Sequence, residues 1–368
     1  MATISTCLIV KNEKDNIRKC LDSIEPFSDE IIVYDTGSDD GTQYICKEYD
    51  KMVLVQGEWR NDFAWARNQS FKYANCDYIF WVDADDFIEK DSQEWILKFK
   101  ESELEKYSSV NIGYIYSTNE NGEALDSPFY RERFFKRSLN PQWHSRIHEF
   151  CTIDDKDENR VLHASFNEVV IKHKKHSDNP LRNITIYREM EKNNEINDGR
   201  NWFYFGKECM WHDSWIVAID KFSKALEYTN LWNIDRLNTH MCMAKIYKEH
   251  NNEMEYVKHI FMAASCTNYI RADVCCELAE IYSSRGNNLY AKELYKMALE
   301  NDKYNDQYTN TFMEPRYSTT TPALMLCVIE YNEGNIEKSK EYNDLALSFD
   351  PNNQMALYNK TFFENLQK

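Results

Sequence analysis

The sequence predicts an α/β domain followed by an all-α domain. Three observations point there. Residues 1 to about 175 alternate short apolar runs with helical patterns, strand signals stop after about 180, and aromatic and small residues then recur at a period near 34. The expected boundaries are 1–178 and 179–368.

Ile4 to Val10 reads as a buried strand. Asn12 to Ile24 reads as a helix, with Ile17, Cys20, Leu21 and Ile24 on one face. Ile31 to Tyr34 is a second strand, running into the polar turn Asp35-Thr-Gly-Ser-Asp-Asp-Gly41. A short helix over Thr42–Tyr49, a strand over Met52–Val55, a helix over Phe63–Tyr73 and a strand over Tyr78–Val82 complete a βαβαβαβ pattern. That pattern belongs to a mostly parallel sheet with helices on both faces. In the second half, Phe205-Gly206 with Ala218, Phe222 and Ala225 marks one helical pair. Tyr247 to Tyr282 is 35 residues and Ala264 to Ala298 is 34; Gly286 to Gly334, at 48, fits one repeat plus an insertion around Tyr304–Ser318. Small residues where helices cross and aromatics between them resemble tetratricopeptide repeats, which stack into binding surfaces for polypeptides or for a second copy.

Composition narrows the function. A net charge of -17 repels a phosphate backbone and disfavours nucleic acid or an anionic membrane surface as partner. No apolar run approaches the length of a spanning helix, and the start of the chain lacks a signal-peptide pattern. The 11 cysteines are scattered without a C-x-x-C pair, so the expectation is a cytoplasmic protein with free thiols.

Three features bear on chemistry. Asp35 ends the second strand, where open sheets bind ligands, although Asp also fills turns for backbone reasons. Asp83-Ala84-Asp85-Asp86 puts three carboxylates straight after a buried strand. If the pleat continues, Asp83 and Asp85 face the same way and need a cation, with magnesium or manganese suiting their hard oxygens. The competing reading is an acidic helix start. The third feature is a basic segment, Arg131, Arg133, Lys136, Arg137, His144, Arg146 and His148, followed by Lys172 to His176, able to compensate a diphosphate. Zinc spacing with cysteine support is missing, and so are the glycine-rich phosphate loops. A metal ion is the natural replacement for such a loop.

Thr6–Glu13, Glu30–Thr42, Trp59–Asn68 and Phe80–Asp86, in that order, resemble glycosyltransferase family 2, in the branch with a GT-A domain followed by tetratricopeptide-like repeats. Arg146-Ile-His-Glu149 is similar to a further segment of that branch. The resemblance implies the GT-A fold, a Rossmann-like mixed sheet. It implies inverting transfer from a UDP-sugar, with glucose or N-acetylglucosamine expected, and a divalent metal, Mg2+ or Mn2+. It places Val10 to Glu13, Asp35, Asp62, Arg67 and Asn68 around the nucleotide, with Ala84 and Arg133 beside them. It places Asp83 and Asp85 at the metal, Asp85 being the better ligand, and His173 near both metal and diphosphate. Glu149 is the candidate base and His148 the second; Glu149 paired with Arg146 at the surface is the competing reading. The acceptor is expected to be a Ser, Thr or Cys side chain of a peptide or protein docked on the repeats, as for relatives that modify bacteriocin precursors or flagellin. A homodimer fits the same surfaces. The other readings are an enzyme of cell-envelope polysaccharide or lipid-linked glycan synthesis, and a repeat adaptor with a degenerate sheet domain.

Overall fold

The computed structural model describes residues 1–116, 118, 129–155, 160–174, 179–301 and 313–366. Lys175 and His176 of the basic segment, and most of the insertion expected around Tyr304–Ser318, lie outside the described residues. The chain forms two compact units, Met1–Lys192 and Asn193–Lys368.

The first unit holds β1 (Ile4–Val10), α1 (Ile17–Ile24), β2 (Glu30–Asp35), α2 (Thr42–Cys46), β3 (Met52–Gln56), α3 (Phe63–Phe71), β4 (Tyr78–Trp81), β5 (Asp86–Phe87), α4 (Lys90–Ser102), β6 (Ser109–Ile115), β7 (Phe129–Lys136), β8 (Gln142–His144), β9 (Phe150–Thr152), β10 (Val161–His163), β11 (Val170–His173) and α5 (Arg182–Lys192). The main sheet runs β3-β2-β1-β4-β7-β6-β11-β5, with β10 also on β6, while β8 and β9 form a separate ribbon. β1, β2, β3 and β4 are parallel. β7 is antiparallel to both β4 and β6, and β5 is antiparallel to β11. The sheet is therefore mixed, as the family resemblance implies. No strand beyond Val82 stands out in the sequence reading, whereas the described residues contain seven.

Alternation along the central strands sorts side chains onto two faces. Ile4, Leu8, Ile31, Val33, Tyr78 and Phe80 pack with α1 and α4 residues in one core. Cys7, Ile32, Ile79, Trp81 and Phe135 pack with α3 and with Trp143 and Cys151 of the ribbon in another. Register pairs Val10 with Asp35, and Trp81 with Cys7, so the carboxyl ends of β1, β2 and β4 finish on one edge of the sheet.

The loop after β1 departs from the helix expected from Asn12. Asn12 has a positive φ of 58°, and α1 begins only at Ile17. Backbone groups of residues 12–14 are instead stitched to the β2–α2 loop. The Asn12 amide donates to Ser38 Oγ at 2.9 Å, the Asp39 amide to Asn12 Oδ1 at 2.8 Å, and the Lys14 amide to Asp40 Oδ2 at 2.9 Å. α5 belongs to the first unit, 14 residues past the expected boundary at 178. Its Glu189 accepts from Arg146 at 2.8 Å, and its buried Tyr187 stacks on His148.

The second unit is all-α: α6 (Gly199–His212), α7 (Trp215–Glu227), α8 (Asn233–Glu249), α9 (Glu253–Ala264), α10 (Ala272–Ser284), α11 (Asn288–Leu299), α12 (Thr320–Asn332), α13 (Ile336–Phe349) and α14 (Gln354–Leu366). Successive helices pack as pairs, α6 on α7, α8 on α9, α10 on α11 and α12 on α13. Small residues sit where helices cross: Ala218, Ala225, Ala263, Ala291, Ala298 and Ala346 are all buried. A methyl at Gly206 would meet the Phe222 ring at 2.5 Å. Gly286 and Gly334 end α10 and α12 with φ of 77° and 84°. That left-handed turn lets the Asn287 and Asn335 amides reach back to the Tyr282 and Glu330 carbonyls at 2.9 and 2.8 Å. The glycine punctuation in the sequence is thus helix termination.

Candidate active site

Four segments meet around the carboxyl edge of the sheet: the end of β2, α3, the turn after β4, and the end of β11. β4 stops at Trp81, and residues 83–86 form a turn closed by the Asp86 amide on the Asp83 carbonyl at 3.0 Å. The pleat does not continue, so Asp83 and Asp85 do not form a matched pair. Asp83 Oδ1 accepts from Arg67 Nη2 at 2.7 Å. Burial alone would raise the Asp83 carboxyl, but Arg67 and Arg133 hold it well below the usual range.

Among the described residues, the group that could hold a cation is Asp85, Asp86 and His173, with one ligand atom from each within 4.8 Å of the others. Asp86 lies in this group, whereas Asp83 of the expected pair is held by Arg67. Asp86 is also the hub of the turn. Its Oδ2 accepts from the Asp83 amide at 3.0 Å and lies 3.1 Å from Arg133 Nη1; its Oδ1 accepts from Tyr114 Oη at 3.0 Å and lies 3.1 Å from His173 Nδ1. The Asp86–His173 contact fixes the imidazole ring, as a carboxylate does behind a metal-binding histidine, and leaves Nε2 for a ligand. Register reinforces it, because β5 and β11 pair Asp86 with His173. Burial lowers the imidazole pKa, but the hydrogen bond to Asp86 and the neighbouring carboxylates raise it overall.

Asp85 lies 3.4 Å from His173 Nδ1. Burial, together with repulsion from Asp83, Asp86 and Glu13, pushes its carboxyl up to about 8 despite His173. Arg67 and Arg133 compensate Asp83 and Asp86, and Asp85 is the carboxylate that a hard divalent cation would relieve. The donor set of two carboxylates and one imidazole fits Mg2+ or Mn2+.

Asp35 is 1% exposed. Its Oδ1 accepts three bonds, from the Gly37 amide at 3.0 Å and from the Ser38 amide and hydroxyl at 2.8 Å. Its Oδ2 is buried without a partner among the described residues. A buried carboxylate oxygen left unmatched is costly, and a donor on a ligand would satisfy it.

Arg67 also reaches the ribbon. Its Nε donates to Glu149 Oε1 at 2.8 Å, and its guanidinium lies over the Trp81 and Trp143 rings. Glu149 is therefore not paired with Arg146, which bonds Glu189 and the Asn61 carbonyl. Burial raises the Glu149 carboxyl, but Arg67 outweighs it and keeps the group below its ordinary value. His148 faces another way, stacked on Tyr187 at 6.0 Å.

Several of the expected nucleotide contacts also have structural work. Asn68 is committed at both ends to Trp143, accepting from its amide at 2.8 Å and donating to its carbonyl at 2.9 Å. Asp62 caps α3 through the Trp65 amide at 2.8 Å. The Glu13 carbonyl starts α1 by accepting from Asn16 and Ile17. Val10 and Ala84 are buried in the core, and the Val10 carbonyl accepts from the Thr36 amide and hydroxyl. Arg133 is fully buried between Trp81 and Tyr114, so it acts on the site as an internal charge. Asp86 and Tyr114 are the contributors that sequence reasoning missed. For Asp86 the signal was present, as the last carboxylate of the run.

Residues 5–161 match the model of Glycosyl transferase family 2. The match lies within the first unit and covers less than half of the chain. Over 272 residues the chain is 28% identical to the SPbeta prophage-derived glycosyltransferase SunS of Bacillus subtilis (strain 168), a match covering 70% of this chain and 62% of SunS. The chain thus spans less than two thirds of that relative. A stretch of 86 residues is 42% identical to a TPR repeat-containing protein of Synechococcus elongatus, covering 23% of this chain and 21% of that one. Among solved structures, S. aureus TarS 1–349 in complex with UDP-GlcNAc aligns with a TM-score of 0.40 at 12% identity, over 82% of this chain and 93% of that chain. The family match ends before β11, so His173 lies beyond it. No helix among the described residues is long and apolar enough to cross a membrane.

Proposed function

We propose that the chain is a cytoplasmic, metal-dependent inverting glycosyltransferase. It moves a sugar, glucose or N-acetylglucosamine, from a UDP donor to a Ser, Thr or Cys side chain of a peptide or protein docked on the helical unit. The observation that carries this reading is the clustered group of Asp85, Asp86 and His173 at the sheet edge of a domain that matches family 2. Asp35 accepts a donor group of the uridine with its unmatched oxygen. Asp85, Asp86 and His173 surround Mg2+ or Mn2+, and Asp86 also orients His173. The cation, when bound, neutralises charge that develops on the leaving diphosphate. Glu149, kept ionised by Arg67, takes the acceptor proton. The -17 net charge makes an acidic acceptor segment a poor fit, so a neutral or basic peptide is the expected partner. The paired helices also offer surfaces on which a homodimer would form.

The test is Asp85→Ala. Release of UDP from a UDP-sugar in the presence of Mn2+ should fall at least about 100-fold. Activity equal to that of the unsubstituted chain would remove the metal role.

A further inference from the structure

One guanidinium joins the two halves of the reaction. Arg67 sits inside α3, with its side chain 6% exposed, and points Nη2 and Nε at two carboxylates. One arm reaches Asp83 at 2.7 Å, in the turn that also carries Asp85; the other reaches Glu149 at 2.8 Å, at the start of the ribbon strand β9. Trp81 and Trp143 flank the guanidinium, with ring centroids 4.4 and 5.1 Å from Cζ. The planar fork of arginine can serve two carboxylates at once; a lysine ammonium is a point charge on a flexible stem.

The loop that delivers Glu149 needs such an anchor. Ser145 and His148 both adopt positive φ, at 73° and 50°, conformations that side chains other than glycine adopt at a cost. The same loop is tied to the start of α3 by the Phe63 amide on the Arg146 carbonyl at 2.9 Å, and by Arg146 Nε on the Asn61 carbonyl at 3.0 Å. Asn68, the next residue on α3, grips Trp143 through its backbone. α3 is therefore the platform that fixes the ribbon, and Arg67 is the point where platform, ribbon and the turn after β4 meet.

We propose that Arg67 is a positioning residue for the transfer step: it sets Glu149 against the donor end of the site and does not itself bind the nucleotide. This role is proposed in place of the expected pocket-lining nucleotide contact, because Nε and Nη2 are held by protein carboxylates. The inference rests on the reading of the site as a UDP-sugar transferase with Glu149 on the acceptor side.

A double-mutant cycle on the full chain tests it, with Arg67→Lys, Glu149→Gln and the double variant. The probes are UDP binding by calorimetry with Mn2+, and UDP release from UDP-glucose or UDP-N-acetylglucosamine with water as acceptor. Arg67→Lys should keep its UDP dissociation constant within about threefold while turnover falls about 100-fold, the scale of a misplaced reacting group. The double variant should be no slower than Glu149→Gln by more than about threefold, because Arg67 acts through Glu149. Multiplicative losses overturn the proposal, and so does a loss of UDP affinity as large as the loss of turnover, which would make Arg67 a nucleotide ligand. If Arg67→Lys does not fold, Arg67→Gln with added guanidinium takes its place. Recovered UDP release supports the role; intact UDP binding without recovery overturns it. A wild-type chain that binds no UDP overturns the transferase reading, and the inference with it.

Discussion

Asp35→Asn separates affinity from stability at one atom. In the folded chain Oδ1 takes three hydrogen bonds from Gly37 and Ser38, and Oδ2 is buried without a partner among the described residues. Asparagine keeps an oxygen for the three loop bonds and replaces Oδ2 by an amide that donates. A ligand N–H or O–H that bonded the carboxylate then faces another donor. A hydrogen bond to a charged group contributes about 1.5–3 kcal/mol, so the UDP dissociation constant should rise about 10- to 150-fold. Stability should move the other way or not at all, because the variant no longer buries an unmatched charged oxygen; the gain is bounded at about 1 kcal/mol. Calorimetric titration with UDP at saturating Mn2+ reads the first quantity, and urea unfolding without UDP reads the second. Unchanged UDP affinity with a normally folded variant would falsify the claim that Oδ2 meets the nucleotide. A stability loss beyond about 2 kcal/mol would show that the loop bonds depend on the charge.

Two further predictions concern the helical unit. His240 and His259 are buried with their Nδ1 atoms 2.9 Å apart, and burial, then repulsion by His259, Arg236 and Lys258, pushes His240 down to about 4. Between pH 6.5 and 4 the unfolded chain therefore holds more protons than the folded one, so stability is full above about 6.5 and falls as pH drops through that window. His240→Gln should remove about 2 kcal/mol of the difference between urea unfolding free energies at pH 7.5 and 4.5; an unaltered difference would show that the pair does not titrate this way. At the α6–α7 crossing, Gly206→Ala would drive a methyl into the Phe222 ring. The clash should outweigh the gain in helix propensity and cost about 1–2 kcal/mol, and a variant as stable as the wild type in urea would show that the ring can move aside.

The central strands and the order of the two units were legible because buried parallel strands read as apolar runs, and paired helices as spaced small residues. Ile4–Val10 and the run before Asp83 needed no tertiary information. The late strands were harder: β5 has two residues, β8, β9 and β10 have three each, and none has length enough for a pattern. At the site, the sequence marked Asp85, Asp35, His173 and Glu149 as candidates. It could not show that the chain turns at Asp83, because a turn closed by the Asp86 side chain looks like a continuing strand in one dimension. Nor could it separate ligand-facing from scaffold polar groups. Asn68 and Asp62 sit in a motif with Arg67, yet their partners are backbone groups, one at Trp143 and one at Trp65. Pairing of Glu149 with Arg67 spans 82 positions and leaves no local trace.

The β5–β11 pairing has a consequence for when the site comes into being. Asp86 meets His173 across a ladder that closes 87 positions of chain. During synthesis the acidic turn emerges early, as a knot of mutually repelling carboxylates, and its histidine arrives only after β6, β7 and the ribbon have been made. A nascent chain cut at the end of the family match, residue 161, would own the acidic run but neither His173 nor α5. Assembly of the Asp85, Asp86 and His173 group is thus expected to be a late event in folding, reached when the last strand of the first unit docks.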